Sequence, residues 1–291
     1  MKQPLKKLMI GSPQQTKPNK MAESYFKDKV VIITGARQGI GKVLSIMLAA
    51  EGSRLALNSR DAEKLARMKE GLISGGYDAI NIPGDISEEE VCKNIVNLTV
   101  KKYGKIDILI NNAGIAGAGT VEEADSFVFR KQVEVNLIGS YLMTKWALPY
   151  IRETHGSILF VSSLAGIFGL PAYSGYSSSK MALTALAQSI KAELHGQNVH
   201  VGVAYVGFTE NDPAKEQYNY KGELAPLPDR NVSRVTPEKT AGLIIKQIRK
   251  RKFRSVHSLL GKAEYLVSRF FPSLIEIILI KSGSGEKDEG K

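Results

Sequence analysis

Cysteine is almost absent from this 291-residue chain, and Cys92 is the only one. A single cysteine cannot form a disulfide within the chain, which favours a reducing compartment. The four histidines are scattered, so no metal site is predicted. No apolar run reaches the roughly 18 residues of a membrane-spanning helix, and Leu8 to Ile10 is too short for a signal-peptide core. We therefore expect a cytoplasmic protein that has neither a metal nor a membrane span.

Acidic residues are fewer than basic ones, 29 against 40, which gives a net charge of +11. Such an excess suggests a nucleic acid or a membrane surface as a partner. Much of the charge is local, because lysines crowd the N-terminus and a basic block runs from Lys246 to Arg254. Neither region contains a nucleic-acid-binding motif or aromatic residues placed to stack on bases. Nucleic-acid binding is therefore not predicted.

The length of the chain predicts one large α/β domain with tails. Residues 1–26 are rich in lysine and interrupted by prolines, which predicts a mobile basic extension. Residues 27–262 would form the main domain. An apolar C-terminal segment would follow at 263–281, and a disordered tail at 282–291.

A glycine-rich turn follows the first predicted strand. Val30 to Ile33 is a β-branched run typical of a parallel strand covered on both faces, and Lys42 to Ala50 is typical of a helix. In the turn between them, one glycine would permit the tight bend, one would let a pyrophosphate approach, and one would let helix and strand pack closely. The candidate contacts are Gly35, Gly39, Ile40 and Gly41. The sequence predicts a dinucleotide site here, with the phosphates at the helix N-terminus; the alternative is a glycine turn without a ligand.

The end of the second predicted strand indicates which dinucleotide is bound. The strand Arg54 to Asn58 is followed by Ser59 and Arg60, where an NAD site usually has an acidic residue for the ribose hydroxyls. Arginine instead suits a 2′-phosphate, and Arg37 in the glycine turn could be a second cation. NADP(H) is therefore predicted. The alternative for Arg60 is a solvated charge at the start of the next helix.

Two more predicted strands end in residues that could line the same ligand. They run from Ala79 to Ile82, with Ser87 as the expected cap of the next helix, and from Ile106 to Ile110. The candidate contacts after these strands are Asp85, Ile86, Asn112, Ala113 and Gly114. Asn136 is unusual because it lies inside a predicted helix from Asp125 to Leu148, where asparagine is unfavourable.

The stretch from Ser162 to Lys180 contains groups suited to proton transfer. Tyr176 and Lys180 are four residues apart, so in a helix they lie on one face. The cation would lower the pKa of the phenol, as a general acid near neutral pH requires. Ser163 follows the apolar strand Ile158 to Val161, at the edge where open α/β sheets bind ligands. The alternative is that the tyrosine and lysine are ordinary surface residues.

Together these motifs resemble the classical short-chain dehydrogenase/reductase family over roughly residues 27 to 250. The matching features are TGxxxGIG at Thr34 to Gly41, Asp85, NNAG at Asn111 to Gly114, Asn136, Ser163, and YxxxK at Tyr176 to Lys180. The resemblance implies a single Rossmann-type domain whose parallel sheet is doubly wound.

The resemblance also implies roles for these residues. Tyr176 would be the general acid that protonates a ketone oxygen as hydride arrives from the nicotinamide. Lys180 would lower its pKa and hold the nicotinamide ribose, and Ser163 would hydrogen-bond the substrate oxygen. Asn136 would position a water in the proton path, and Asp85 would lie at the adenine. The other cofactor contacts would be Ile86, Asn112, Ala113, Gly114, Gly207 and Thr209.

The chain departs from the family after the predicted strand Val199 to Tyr205. The family usually has Pro-Gly there, and then a threonine that touches the nicotinamide amide. In this chain Val206 replaces the proline, and either Thr209 or Asn211 could supply the contact. The polar segment from Asn211 to Pro237 would form a lid over the substrate, and Tyr173 is assigned to the substrate side.

The long lid and the apolar C-terminus are similar to family reductases of lipophilic ketones, of the hydroxysteroid dehydrogenase and ketodihydrosphingosine reductase types. We therefore expect a small lipophilic ketone or alcohol as substrate, and a homodimer or homotetramer. One alternative is a beta-ketoacyl carrier-protein reductase whose basic block meets an acidic carrier; another is a non-catalytic NADP(H)-binding redox sensor. After a last strand at Ser255 to Leu260, the apolar segment could cover a subunit interface or the substrate mouth, or contact a membrane.

Overall fold

The computed structural model describes residues 24–210, 215–228 and 234–285. Most of the predicted N-terminal extension, Asn211 and residues 286–291 lie outside these ranges. No helix in the described part of the chain is long and apolar enough to cross a bilayer.

A parallel sheet of seven strands forms the centre of the domain, in the order β3-β2-β1-β4-β5-β6-β9. The nine strands of the described ranges, in chain order, are β1 (Val30–Thr34), β2 (Arg54–Ser59), β3 (Ala79–Pro83), β4 (Ile108–Asn111), β5 (Ser157–Ser163), β6 (His200–Val206), β7 (Glu216–Tyr218), β8 (Leu224–Pro226) and β9 (Arg254–Val256). Only β7 and β8 stand apart, as a small antiparallel hairpin. The chain winds outward from β1 to β3 and then, starting at β4, in the other direction, so the predicted doubly wound fold is confirmed.

Helices connect the parallel strands and cover both faces of the sheet. The helices are α1 (Gly39–Ala50), α2 (Ala62–Ser74), α3 (Glu89–Tyr103), α4 (Ser126–Val133), α5 (Gly139–Glu153), α6 (Ser174–Glu193), α7 (Pro237–Arg249), α8 (Leu259–Phe270) and α9 (Pro272–Gly285). A π-helical turn, Glu134–Ile138, joins α4 to α5, and a 3₁₀ turn, Leu164–Gly166, follows β5. The helix predicted from Asp125 to Leu148 therefore exists, but a π turn interrupts it.

The strands are apolar on both sides because each face of the sheet is buried under helices. In β1, Val31 and Ile33 pack with Leu44 of α1 and Ile244 of α7, while Ile32 points to the opposite layer, which includes α3, α5 and α6. Every residue of β1 is buried. This explains why the strand is a continuous β-branched run rather than an alternating one.

Asp107 fixes the start of β4 against β1. Its carboxylate accepts the Val30 N–H at 2.9 Å and forms ion pairs of 2.9 Å with Lys29 and Lys105. Burial would raise the pKa of Asp107, but the Val30 hydrogen bond and the two ammonium groups outweigh it and lower the pKa. The buried carboxylate thus stabilises the pairing of the two central strands.

Three predicted boundaries are wrong. Ser87 does not cap α3: its hydroxyl donates to Asp85 at 2.8 Å, and the helix begins at Glu89. The predicted last strand, Ser255 to Leu260, is confined to β9, because the Ser258 hydroxyl accepts the Gly261 N–H and starts α8. Residues 282–285 of the predicted disordered tail are helical, since α9 extends to Gly285; the rest of that tail lies outside the described residues.

The basic block lies at the end of the sheet opposite to the carboxyl ends of the strands. Arg251 donates to the carbonyls of His155 and Asn198, which precede β5 and β6. Arg249 pairs with Glu51 at 2.6 Å. These arginines hold loops at the amino edge of the sheet, whereas ligand sites of such folds lie at the carboxyl edge.

The two C-terminal helices expose an unusual amount of apolar surface. Their exposed large side chains are Leu260, Leu266, Phe270, Phe271, Leu274, Ile277, Ile278 and Ile280. α9 also lies beside the start of α6, where Leu279, Ile280 and Met181 line a shared apolar groove. The apolar segment is therefore helical and reaches the element that carries Tyr176.

Candidate active site

One cleft of about 490 Å³ runs along the carboxyl ends of the central strands, at the point where the winding direction reverses between β1 and β4. Sixteen of the predicted site residues line it: Gly35, Arg37, Gly39, Ile40, Gly41, Arg60, Asp85, Ile86, Asn112, Ala113, Gly114, Ser163, Tyr176, Lys180, Gly207 and Thr209. The remaining one, Asn136, is fully buried behind the wall of the cleft. Residues that are far apart in sequence thus converge on one site.

Tyr176, Lys180 and Ser163 meet in the middle of this cleft. The first two lie on the opening turns of α6, with the Lys180 ammonium 5.9 Å from the centroid of the tyrosine ring. Ser163 is the last residue of β5 and hydrogen-bonds the Tyr176 side chain. The Lys180 ammonium also donates to the Val161 carbonyl at 3.0 Å, which fixes it against β5.

The protonation properties of this group differ from the sequence-based expectation. Burial raises the pKa of Tyr176 and outweighs the hydrogen bond with Ser163, which lowers it. Burial, together with the nearby charge of Lys215, lowers the pKa of Lys180 to about 8. The pKa of Tyr176 is therefore raised, not lowered as expected from its pairing with Lys180, because loss of solvent around the phenolate dominates.

Asn136 holds the loop after β4 in place. Its side chain accepts the Ile115 N–H at 2.8 Å and donates to the Ile115 carbonyl and the Ser179 hydroxyl, both at 2.9 Å. The π turn places this amide inside the protein rather than in solvent. Asn136 is thus a positioning residue in these contacts, and its role toward a water in the proton path stays a prediction.

The glycine turn forms a close-packed cradle. A Cβ on Gly41 would lie 2.3 Å from the Gly35 carbonyl oxygen, so this position admits only glycine where α1 meets the turn. Gly39 has a φ of +51° and open space where a Cβ would project. Gly41 is therefore required for the close packing predicted there, whereas Gly39 leaves room for the predicted ligand.

The N-terminus of α1 is available to an anion. Its N-cap, Gln38, makes no side-chain hydrogen bond to the helix, and the first turn contains no acidic residue. The first N–H groups of a helix need acceptors and carry partial positive charge. Together with the open space at Gly39, this arrangement fits a dinucleotide pyrophosphate.

Thr34 locks this cradle to the next loop, a role that the sequence did not reveal. Its hydroxyl accepts the N–H groups of Asn112 and Ala113, both at 3.0 Å. The Asn112 side chain donates in return to the Thr34 carbonyl at 2.9 Å. The end of β1 and the end of β4 are therefore joined, which fixes the two walls of the predicted cofactor site.

Two arginines flank the adenosine end of the cleft. Arg60 lies 3.8 Å from Asp85, and Arg37 lies 3.5 Å from Asp61. Asp61 is the acidic residue nearest to the end of β2, but it caps α2 by accepting the Lys64 N–H at 2.9 Å. The carboxylate after β2 is therefore used as a helix cap, and its contacts do not direct it toward the ribose of a bound dinucleotide.

Asp85 is ionised and well anchored at the same end. Burial would raise its pKa, but the hydrogen bonds from Ser87 and the charges of Lys131 and Arg60 together lower it. Lys131 lies 3.5 Å from the carboxylate. Asp85 is thus a fixed acceptor beside the glycine cradle, and its place at the adenine stays a prediction.

The other end of the cleft has several apolar lining residues. Among its lining residues are Phe168, Leu170, Val206, Leu224 and Leu227. The β7–β8 hairpin covers this end, and Gln217 of β7 donates to the Tyr173 hydroxyl at 3.4 Å. Tyr173 therefore lies on the predicted substrate side, below the lid.

The loop after β6 lines the cleft although Val206 replaces the proline of the family. Val206 retains the N–H that proline lacks and extends β6 by one residue beyond the predicted end. Thr209 lines the cleft, and its hydroxyl donates to the Gly207 carbonyl at 3.3 Å. The rival residue, Asn211, lies outside the described residues.

Charged residues of the lid and the C-terminus were not predicted. Lys215 precedes β7 and Glu264 belongs to α8, yet both line the cleft. They lie about 40 and 80 residues beyond the tyrosine-lysine pair, in segments without a motif, so no local signal could identify them. No cluster of three or more potential metal ligands occurs within the described ranges.

Comparisons with known proteins agree with this geometry. The family model described as short chain dehydrogenase matches residues 29–221. The 11-beta-hydroxysteroid dehydrogenase 1A of Arabidopsis thaliana is 31% identical over 274 residues, which cover 90% of this chain and 78% of that protein. The 3-ketodihydrosphingosine reductase of Mus musculus is 30% identical over 263 residues, which cover 87% of this chain and 77% of that protein.

A solved structure shares the fold. It is a short chain dehydrogenase/reductase from Burkholderia phymatum in complex with NAD, with a TM-score of 0.76 and 22% sequence identity. The match covers 87% of this chain and 96% of that one. The arrangement of the seven-stranded sheet is therefore common to both.

Proposed function

Because the chain belongs to the short-chain dehydrogenase family and is thus an oxidoreductase of CH–OH and C=O groups, we propose that it is an NADP(H)-dependent reductase of lipophilic ketones. The observation that carries the reaction type is the meeting of Ser163, Tyr176 and Lys180 in one cleft with a glycine cradle at its other end. A scaffold that only binds nucleotide would have no chemical use for this trio.

In the proposed reaction, the substrate carbonyl lies between Ser163 and Tyr176. A bound NADPH would supply the hydride to the carbonyl carbon. The Tyr176 phenol donates its proton to the oxygen as negative charge develops there, and the Ser163 hydroxyl donates a hydrogen bond to the same oxygen. Lys180 is held by Val161 at a fixed distance from the phenol, so its charge stabilises the phenolate left behind.

The preference for NADP(H) is supported by the charges at the adenosine end. Arg37 and Arg60 line the cleft there, and the nearest acidic residue, Asp61, is engaged as the cap of α2. Guanidinium groups match the geometry and charge of a 2′-phosphate. The nicotinamide end would be held by Lys180, Gly207 and Thr209.

The lipophilic character of the substrate is supported by the apolar side chains that line part of the cleft and by the apolar C-terminal helices. The names of two relatives point the same way: one is a hydroxysteroid dehydrogenase, and the other is a reductase of a keto lipid. The carrier-protein alternative is less favoured, because the basic block lies at the opposite edge of the sheet, where a carrier bound at the mouth would not reach it.

The test is a panel of steroid, long-chain and acyl-linked ketones, with NADPH and NADH consumption followed by absorbance. We expect turnover with NADPH on one lipophilic class. Binding of NADPH without turnover on any ketone would favour the redox sensor, and turnover confined to carrier-linked ketones would favour the carrier-protein alternative.

A further inference from the structure

Lys215 brings a positive charge from the lid into the active-site cleft. It immediately precedes β7, two residues before Gln217, whose buried side chain donates to the Tyr173 hydroxyl. Alternate side chains of an extended chain point to the same side, which places Lys215 on the side of β7 that faces Tyr173. Lys215 accordingly lines the cleft, and it remains accessible, so a ligand that enters the cleft can reach it.

The ammonium group of Lys215 has no counter-charge in the fold. It makes no hydrogen bond and no ion pair with any residue in the described part of the chain. The glutamates that line the same cleft, Glu210, Glu216 and Glu264, do not pair with it. Its charge instead acts on Lys180, whose pKa is lowered by burial and by Lys215. The tyrosine end of the cleft therefore contains two ammonium groups that repel each other.

The proposed reaction uses only one of these two cations. Lys180 donates to the Val161 carbonyl and stabilises the phenolate of Tyr176. The pyrophosphate of the cofactor is expected at the N-terminus of α1, at the other end of the cleft. Like charges held close together are costly, and they are typical of sites that bind a ligand of opposite charge. Lys215 is thus placed to meet a negative charge on the substrate.

We propose that Lys215 binds a carboxylate of the substrate, so that the preferred substrates are lipophilic oxo acids. An ammonium group offers three donors on a flexible stem and forms charge-assisted hydrogen bonds with a carboxylate. The apolar side chains that line part of the cleft, among them Leu224 and Leu227, contact the hydrocarbon part of such a ligand. This inference names the substrate class of the proposed ketone reductase and rests on that function.

The test compares oxo acids, with the carboxylate at different distances from the ketone, with their methyl esters, which have the same chain without the charge. Affinity is measured by calorimetry in the presence of NADP⁺, which has no hydride to donate, and kcat/KM is measured with NADPH at one pH. Lys215→Met removes the charge and keeps the length of the side chain, whereas Lys215→Arg keeps the charge. Lys221→Met is the matched control, because Lys221 is exposed in the turn of the same hairpin and does not line the cleft.

For at least one oxo acid we expect Lys215→Met to weaken binding and lower kcat/KM about ten- to hundredfold relative to its methyl ester, the range of hydrogen bonds to charged groups. Lys215→Arg should retain most of the preference for the acid. The unfolding temperature of Lys215→Met should not fall, because the ammonium group has no partner in the fold. Equal losses for acids and esters, no effect on any acid, or a loss in Lys221→Met as large as in Lys215→Met would overturn the proposal.

Two further outcomes separate the sources of the anion and the two proposals. A loss in Lys215→Met that is confined to the binding of NADP⁺ would overturn the proposal, since the anion would then belong to the cofactor. Lys215-dependent binding of an oxo acid without turnover of any ketone would instead refute the reductase function alone.

Discussion

The coenzyme preference gives a prediction whose size follows from the exposure of two arginines. Arg60→Ala and Arg37→Ala should each weaken NADPH binding and leave NADH binding almost unchanged, because only NADPH carries the 2′-phosphate. The Arg60 side chain is 50% exposed and that of Arg37 is 25% exposed. Solvent screens the more exposed contact, so its contribution should be the smaller of the two.

A hydrogen bond to a charged group contributes roughly 1.5–3 kcal/mol. If Arg60 contributes the lower end of this range and Arg37 the middle, the dissociation constant of NADPH should rise about tenfold without Arg60 and about 45-fold without Arg37. Asp85 keeps its contact with Lys131 at 3.5 Å when Arg60 is removed, so the carboxylate is not left unpaired. The double variant should lose less than the sum, since both arginines would share one phosphate.

The assay is a titration of each variant with NADPH and NADH, followed by the fluorescence of the reduced nicotinamide. Arg67→Ala is the matched control, because this arginine is exposed on α2 and its loss changes the net charge by the same amount. NADPH affinity should also fall more steeply with salt than NADH affinity. Equal losses for both coenzymes, or a loss in Arg67→Ala as large as in Arg60→Ala, would refute the 2′-phosphate assignment.

Three more predictions concern other parts of the molecule. Lys215→Gln should move the alkaline limb of the kcat/KM profile to higher pH, because the Lys215 charge lowers the pKa of Lys180; an unchanged limb would contradict this coupling. Asp107→Asn should cost about 2 kcal/mol of unfolding free energy at neutral pH. Since the folded-state pKa of Asp107 is lowered, that difference should shrink below about pH 4 in urea titrations, and a pH-independent difference would exclude the charge as its cause. We also propose that the exposed C-terminal helices contact membranes, so Phe270→Ser with Phe271→Ser should reduce flotation with anionic vesicles; absence of flotation in the unchanged protein would refute this.

Much of the fold could be predicted because local patterns and global structure agree. The β-branched run of β1 requires cover on both faces, and the glycine turn after it requires a parallel strand–helix connection. The ends of helices and strands could not be predicted where a serine has more than one available hydrogen-bond partner. Ser87 has the chemistry of a cap, but Asp85 takes its hydroxyl, and Ser258 starts a helix inside the predicted last strand.

The candidate site could be predicted where it is carried by motifs and not where it depends on tertiary contacts. The tyrosine-lysine spacing fixes one helix face, so Tyr176 and Lys180 could be paired from the sequence alone. Desolvation of the phenol depends on every element around the cleft, so the raised pKa of Tyr176 could not be predicted from the sequence. The same is true of Glu264, which reaches the cleft only because α8 packs on the loop after Ser163.

The most direct test of the account follows the hydride itself. The protein is incubated with a reducible lipophilic ketone and NADPH that carries deuterium at both hydrogen positions of C4, and the alcohol product is analysed by mass spectrometry. We predict one deuterium on the former carbonyl carbon, and a rate in Tyr176→Phe that is lower by at least about a hundredfold while NADPH binding is retained. Unlabelled product, or an unchanged rate in Tyr176→Phe, would contradict hydride transfer with Tyr176 as the proton donor.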